Sequence, residues 1–276
     1  MMAEQAKIIL VGCGNMGFAM LSGWLESNVA TADDVWVVEP SEELRQRVIE
    51  LGVRAVAGGE ELPTAITTDL LLFAVKPQAM DAVLPAYGDL VSRSNPAIAS
   101  VAAGIPIRRF EAEFGNKCAI IRIMPNTPSA VGQGMMVICP NQHVGKIQLA
   151  FVEQLMEASG KTALLHDETL MDAVTAISGS GPAYLFHMVE ALRDAGKALG
   201  LQDDLAHTLA MQTIVGAANY AAGAPHDVAQ LREQVTSPNG TTAAALAVLM
   251  QPETGLGDLM ARATTAARDR SIELGS

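Results

Sequence analysis

Through the first 165 residues, short runs of apolar residues recur, separated by segments whose apolar positions fall at helical spacing. The runs lie at 7–11 (KIILV), 35–38 (VWVV), 70–75 (LLLFAV), 98–101 (IASV) and 119–123 (AIIRI). Unbroken apolar runs of this length predict strands covered on both faces, as in a parallel sheet. They alternate with helical patterns at 16–27, 42–51 and 80–87, which predicts a doubly wound α/β sheet. A shorter run at 134–138 (GMMVI) predicts a late strand on a sheet edge.

Beyond residue 165 the strand pattern stops. The stretches 167–177, 183–199, 203–222, 228–236, 242–251 and 256–272 read as helices, with apolar faces rich in Ala, Met and Leu. Small residues let such helices approach closely. Gly and Pro clusters at 179–182, 223–225 and 237–240, with Gly200, punctuate them. Neither an internal repeat beyond the βα alternation nor a low-complexity linker is present. The expected organisation is an α/β domain over 1–165 and an all-α domain over 166–276.

Composition narrows the function classes. Of 276 residues, 50% are hydrophobic and 17% charged, too apolar for a disordered chain. The net charge of −12 disfavours nucleic acid and anionic membrane surfaces as partners, though not a local anion pocket. Cys13, Cys118 and Cys139 form no CxxC, which argues against a disulfide framework. The five histidines show no metal-binding spacing, so no metal site is expected. With no signal-peptide pattern and no long apolar span, the expectation is a cytoplasmic protein outside the membrane.

Gly12-Cys13-Gly14-Asn15-Met16-Gly17 matches G-x-G-x-x-G after a strand and at the opening of a helix. That context points to a Rossmann-type dinucleotide site. Gly12 makes the turn, Gly14 lets the pyrophosphate approach, and Gly17 allows helix–strand packing. Asn15 and Met16 open the helix, whose free amides and dipole favour phosphate. Glu39 ends the second strand, where an acidic residue binds the ribose 2′-OH of NAD and repels the 2′-phosphate of NADP. Arg45 and Arg47 follow, either as phosphate partners or as solvated charges. The choice between NADH and NADPH stays open. Cys13 is either a thiol with a lowered pKa at a helix start or a small filler.

Val75-Lys76-Pro77 follows the third run and is expected at the sheet's carboxyl edge, where ligands bind. Met124-Pro125-Asn126-Thr127-Pro128 follows the fifth, and a stiff polar loop there suits a nicotinamide carboxamide, with Asn126 supplying donor and acceptor. In the helical half, Ser178-Gly179-Ser180-Gly181-Pro182 and Ser237-Pro238-Asn239-Gly240-Thr241-Thr242 precede helices and offer amides and hydroxyls to a small carboxylate. Each block alone also reads as an ordinary turn or cap.

Taken together, these blocks resemble pyrroline-5-carboxylate reductase, the last enzyme of proline biosynthesis, along nearly the whole chain. The glycine loop, FAVKPQ at 73–78, RIMPNTP at 122–128, DAVTAISGSGPAY at 172–184 and VTSPNGTT at 235–242 carry the resemblance. It implies an N-terminal domain that binds NADPH or NADH through Gly12, Gly14, Asn15, Met16, Gly17, Glu39, Val75, Lys76, Pro77 and Asn126. It also implies a C-terminal dimerisation domain intertwined with that of a second chain, giving a homodimer with larger assemblies left open. The substrate, 1-pyrroline-5-carboxylate, would take its carboxylate contacts from Ser237, Gly240, Thr241 and Thr242, and further contacts from Ser178, Ser180 and Gly181. Thr242 is the implied catalytic residue, its hydroxyl near the ring nitrogen. Asn239 departs from the family's usual glycine, and Glu39-Pro40-Ser41 from its phosphate-binding patch. The rival readings are a β-hydroxyacid dehydrogenase or imine reductase, and a non-catalytic NAD(P)-binding regulator. The first uses a lysine early in the second domain, whereas this helical half has none before Lys197.

Overall fold

Eight strands form one sheet: β1 (Gln5–Val11), β2 (Val35–Val38), β3 (Arg54–Val56), β4 (Thr67–Phe73), β5 (Ala97–Ser100), β6 (Ile120–Met124), β7 (Gly134–Pro140) and β8 (Gly160–Leu164). Their order is β3-β2-β1-β4-β5-β6-β7-β8. All neighbours are parallel except β6 and β7. The coordinates are a computed structural model, which describes residues 5–275.

The pleat explains the apolar runs. Along β1, Ile8 and Leu10 enter one core while Ile9 and Val11 enter the other; along β4, Leu70 and Leu72 part from Leu71 and Phe73 in the same way. Helices α1 (Asn15–Glu26), α2 (Glu42–Glu50) and α6 (Lys146–Glu157) supply Trp24, Val48 and Leu155 to the first core. Trp24 Nε1 donates to Leu155 O at 3.0 Å, tying α1 to α6. The second core takes Met80 from α3 (Met80–Val83), Leu90 from α4 (Gly88–Ser94) and Phe110 from α5 (Ile107–Phe114). At its centre Phe73 meets Tyr87 edge-on, with ring centroids 5.4 Å apart.

The sheet differs from the sequence pattern in two details. The run at 134–138 was expected on an edge, but β8 lies outside β7 and takes that place. β3 and β8 escaped notice because neither is an apolar run: β3 has three half-buried residues, and β8 (GKTAL) is largely exposed.

The chain forms two compact units. One extends to Gly179 and resumes at Arg268; the other is Ser180–Ala267. The strands end at Leu164, near the expected change of class at 165/166, but the segment after them packs with the first unit. It consists of a 3₁₀ turn (Glu168–Leu170), α7 (Met171–Val174) and a π turn (Thr175–Gly179), where one helix over 167–177 was expected. Arg122 on β6, 6% exposed, explains the attachment: its Nη1 is 3.0 Å from Glu168 Oε1 and its Nη2 3.7 Å from Asp172 Oδ1. Ser271 Oγ donates to Asp172 Oδ1 at 2.7 Å, fixing the end of the last helix to the same cluster.

The second unit is helical: α8 (Gly181–Ala198), α9 (Asp203–Gly223), α10 (Val228–Gln234), α11 (Thr241–Leu249) and most of α12 (Leu256–Leu274). α8 and α9 pack through small residues; a Cβ on Gly196 would sit 3.2 Å from Ala206 Cβ. Its buried apolar side chains are Val189, Ala206, Ala210 and Leu231. Phe186, Leu192, Leu205, Val248 and Leu259 are exposed. An apolar groove of about 740 Å³ runs between α8 and α12, with Tyr184, Met188, Leu192 and Leu259 along it. No helix among the described residues is long and apolar enough to cross a membrane.

Candidate functional site

The strand order reverses between β1 and β4, and in open α/β sheets ligands bind at the carboxyl end of that crevice. Gly12 turns out of β1 with φ +88°, a conformation open to glycine. A Cβ there would lie 2.8 Å from Val75 Cγ1, so the turn after β1 rests on the residue that follows β4. A Cβ on Gly17 would run into the Gly12 carbonyl oxygen. Gly14, by contrast, caps α1 in extended conformation, and a Cβ there would meet nothing within 4 Å. Asn15 and Met16 begin α1, whose first turn carries no acidic residue. This is the steric and electrostatic cradle that a pyrophosphate requires, so the residues present fit a dinucleotide.

Glu39, just past β2, is 6% exposed. Its Oε2 accepts the Cys13 N–H at 2.7 Å and its Oε1 the Ser41 N–H at 2.9 Å. The carboxylate therefore holds the glycine loop, and charge-assisted bonds to amides compensate its burial. The two open arginines resolve. Arg45 Nη1 donates to the Glu39 and Pro40 carbonyls at 2.9 and 3.1 Å, and the Arg47 guanidinium lies 4.0 Å above the Phe18 ring. Burial pushes the Cys13 thiol up to about 12, with Glu39 adding to the rise and Arg47 opposing it. Cys13 is a buried filler, not a reactive thiolate.

Lys76 is exposed and caps the 3₁₀ turn Pro77–Ala79, with Pro77 in its first turn. Sequence reasoning missed the turn after β5 on the same carboxyl edge. There Ser100, buried, accepts the Ala102 N–H on its Oγ at 3.2 Å, and Gly104 has φ +78°. Small residues in Val101-Ala102-Ala103-Gly104 were the available signal.

At the end of β6, Asn126 is less free than expected. Its Oδ1 accepts the Met135 N–H at 2.9 Å, and its Nδ2 donates to Ser178 O at 3.0 Å. The structure thus joins two blocks that the sequence reading gave separate ligands.

The second unit contains the remaining residues. After α10 the chain turns at Ser237, and Gly240 N–H donates to Ser237 O at 3.0 Å. Asn239 sits at φ +62°, left-handed, which asparagine adopts more readily than most residues and which accounts for it in place of glycine. A Cβ on Gly240 would press on Ser237 Oγ, which would have to rotate away. Thr241 and Thr242 open α11, whose first turn has no acidic residue and whose cap makes no side-chain bond. The first amides of a helix have no partner within it, so this turn presents N–H donors beside the Thr242 hydroxyl. Ser180, Gly181 and Pro182 open α8 with the same lack of acidic residues and cap bond. Lys197 lies in the last turn of α8 and pairs with Asp203 at 3.3 Å. It does not stand where a dehydrogenase lysine would.

Comparison with known proteins matches two stretches of the chain to family models. Residues 168–274 match the family model for pyrroline-5-carboxylate reductase dimerisation, and residues 7–104 that of NADP oxidoreductase, coenzyme F420-dependent. The pyrroline-5-carboxylate reductase of Pseudomonas aeruginosa is 38% identical over 97% of this chain and 96% of its own length. The solved structure of such a reductase from Coxiella burnetii superposes with a TM-score of 0.89 at 34% identity, covering 98% of this chain and 99% of that one. That of Plasmodium falciparum pyrroline carboxylate reductase, with NADP bound, gives 0.85 at 30%, covering 99% of each. A relative this similar at both levels, over both units and essentially end to end, leaves one assignment: the chain belongs to the pyrroline-5-carboxylate reductase family.

Proposed function

We propose that this protein reduces 1-pyrroline-5-carboxylate to L-proline, the last step of proline biosynthesis. The observation that carries the reading is the turn Ser237–Gly240 opening α11, inside a chain that matches the family along its length. Bound NAD(P)H supplies the hydride, which goes to the C=N carbon. The Gly14, Asn15 and Met16 amides would hold its pyrophosphate and Glu39 its ribose, with Val75, Lys76 and Pro77 on the same carboxyl edge.

The substrate carboxylate takes the amides of Thr241 and Thr242, with Ser237 and Gly240 shaping the turn that presents them. One carbon separates that carboxylate from the ring nitrogen, so an anchored carboxylate brings the nitrogen to the Thr242 hydroxyl. There the hydroxyl keeps a proton on the nitrogen, and the protonated C=N carbon is the better hydride acceptor. Orientation and polarisation do the work that a strong general acid would do for a ketone. Ser178, Ser180 and Gly181 complete the substrate contacts.

The working form is a homodimer in the cytoplasm. The exposed apolar helices of the second unit and their match to a dimerisation model support self-association. NADH serves at least comparably to NADPH, because the buried Glu39 charge disfavours a 2′-phosphate.

The test is cofactor oxidation by the purified protein, followed by absorbance with racemic 1-pyrroline-5-carboxylate and each dinucleotide. Substrate-dependent oxidation yielding proline is expected. Dinucleotide binding without turnover would favour a non-catalytic regulator, and turnover of β-hydroxyacids instead would favour the dehydrogenase reading.

A further inference from the structure

The π turn Thr175–Gly179 sits between α7 and Ser180. Such turns are rare, and they cluster at functional sites. Widening a helix by one residue leaves backbone groups that need partners from outside. Asn126 supplies one, through Nδ2 to Ser178 O at 3.0 Å. Its other end is committed to Met135 N–H at 2.9 Å, so the amide is held at both ends and cannot flip without losing both bonds. Its backbone carbonyl accepts Ser129 N–H at 3.2 Å and Ser129 Oγ–H at 2.6 Å, which fixes the loop on which it stands.

A second contact reports on the same turn. A Cβ on Gly179 would overlap Met124 Cε, two residues before Asn126. The hydroxyls of Thr175 and Ser178 fold back onto Met171 O and Val174 O at 3.0 and 3.1 Å, so the turn's own side chains do not hold it to β6. Asn126 and the close Met124–Gly179 approach do. Reverting the π turn to an α turn would displace Ser178 and Gly179 by one residue, or about 100° around the helix axis.

We propose that Asn126 is a positioning residue for imine reduction: it sets the register of the π turn, and so the placement of Ser178, instead of holding the nicotinamide. This rests on the reduction reading above. It predicts that damage at Asn126 appears in the substrate's kinetics and leaves dinucleotide affinity alone.

Asn126→Asp keeps the acceptor for Met135 but replaces the donor to Ser178 with a charged oxygen facing the Ser178 carbonyl. In this variant kcat/KM for the imine should fall about tenfold or more, with the Kd of NADH and NADPH, read by fluorescence, within about twofold of wild type. Amide exchange over 175–180 should quicken while exchange in β1 and β4 does not change. Gly179→Ala meets only the flexible end of Met124 and should give a milder form of the same pattern, which Met124→Ala added to it should remove. A tenfold rise in dinucleotide Kd with normal kcat at saturation would overturn the proposal in favour of a direct cofactor contact. So would unchanged kinetics and exchange in Asn126→Asp. If the wild type does not reduce the imine, the reading of the reaction fails, while the exchange data still decide whether Asn126 sets the turn.

Discussion

The two units bury their apolar surface in different ways. The first closes two cores, one on each face of an eight-stranded sheet, with Trp24, Phe73 and Phe110 fully inside. The second has nearly as strong an apolar pattern but buries few of those residues in a single chain, and Phe186 is 63% exposed. A sheet covered on both faces is self-sufficient. A layer of Ala-rich helices is not, and its surplus apolar area marks an interaction surface. Amphipathic pattern alone therefore does not distinguish a core from an interface; the number of layers does.

Four substitutions would break or sharpen that contrast. Phe73→Ala removes the ring on which Tyr87 and Phe110 rest and should cost about 4 kcal/mol in denaturant unfolding, independent of protein concentration. Leu259→Asp, at a position 52% exposed beside the helical groove, should leave the sheet intact and cost about 3 kcal/mol of association as a charge without a partner. Light scattering should then show a single chain, and melting should lose its dependence on concentration. An unchanged mass would place the interface elsewhere. Thr242→Ala touches neither core nor groove. It should lower kcat about tenfold, or about 1.4 kcal/mol, with dinucleotide affinity unchanged. A loss of cofactor affinity instead would remove the substrate from this turn. Smallest is Glu39→Gln, which should shift kcat/KM several-fold toward NADPH, by roughly 1 kcal/mol. A wild-type preference for NADPH above about a hundredfold would refute the charge argument at the outset.

What could be read from the sequence followed how local the cause was. The strands of the sheet's centre were legible because burial on both faces writes an unbroken apolar run. The glycine loop was legible because Gly12 and Gly17 answer backbone demands, a left-handed turn and a close approach to the Gly12 carbonyl, while Gly14 completes the spacing. α5 went unnoticed although Ile107, Phe110 and Phe114 fall at helical spacing after Pro106; at eight residues it is short, and no side chain caps its start. The π turn could not be read at all. Thr175-Ala176-Ile177-Ser178 continues a helical pattern, and what widens it is Asn126, far away along the chain. Of the candidate site, the turn conformation of the glycine loop was readable from its spacing. Asn126 was picked out as polar and rigid, but its bonding partners depend on packing that no local pattern records.

The Arg122–Asp172–Ser271 cluster has a topological consequence. Because Ser271 anchors the returning chain beside the segment that leads out of Gly179, the whole stretch Ser180–Ala267 is a loop closed at both ends, in effect an insertion into the first unit's chain. The entropy of closing a loop grows only with the logarithm of its length. Lengthening the helical connections at 223–227 would thus add little to that cost, whereas severing the anchor would turn an enclosed insert into a dangling tail and release the constraint on all of it at once.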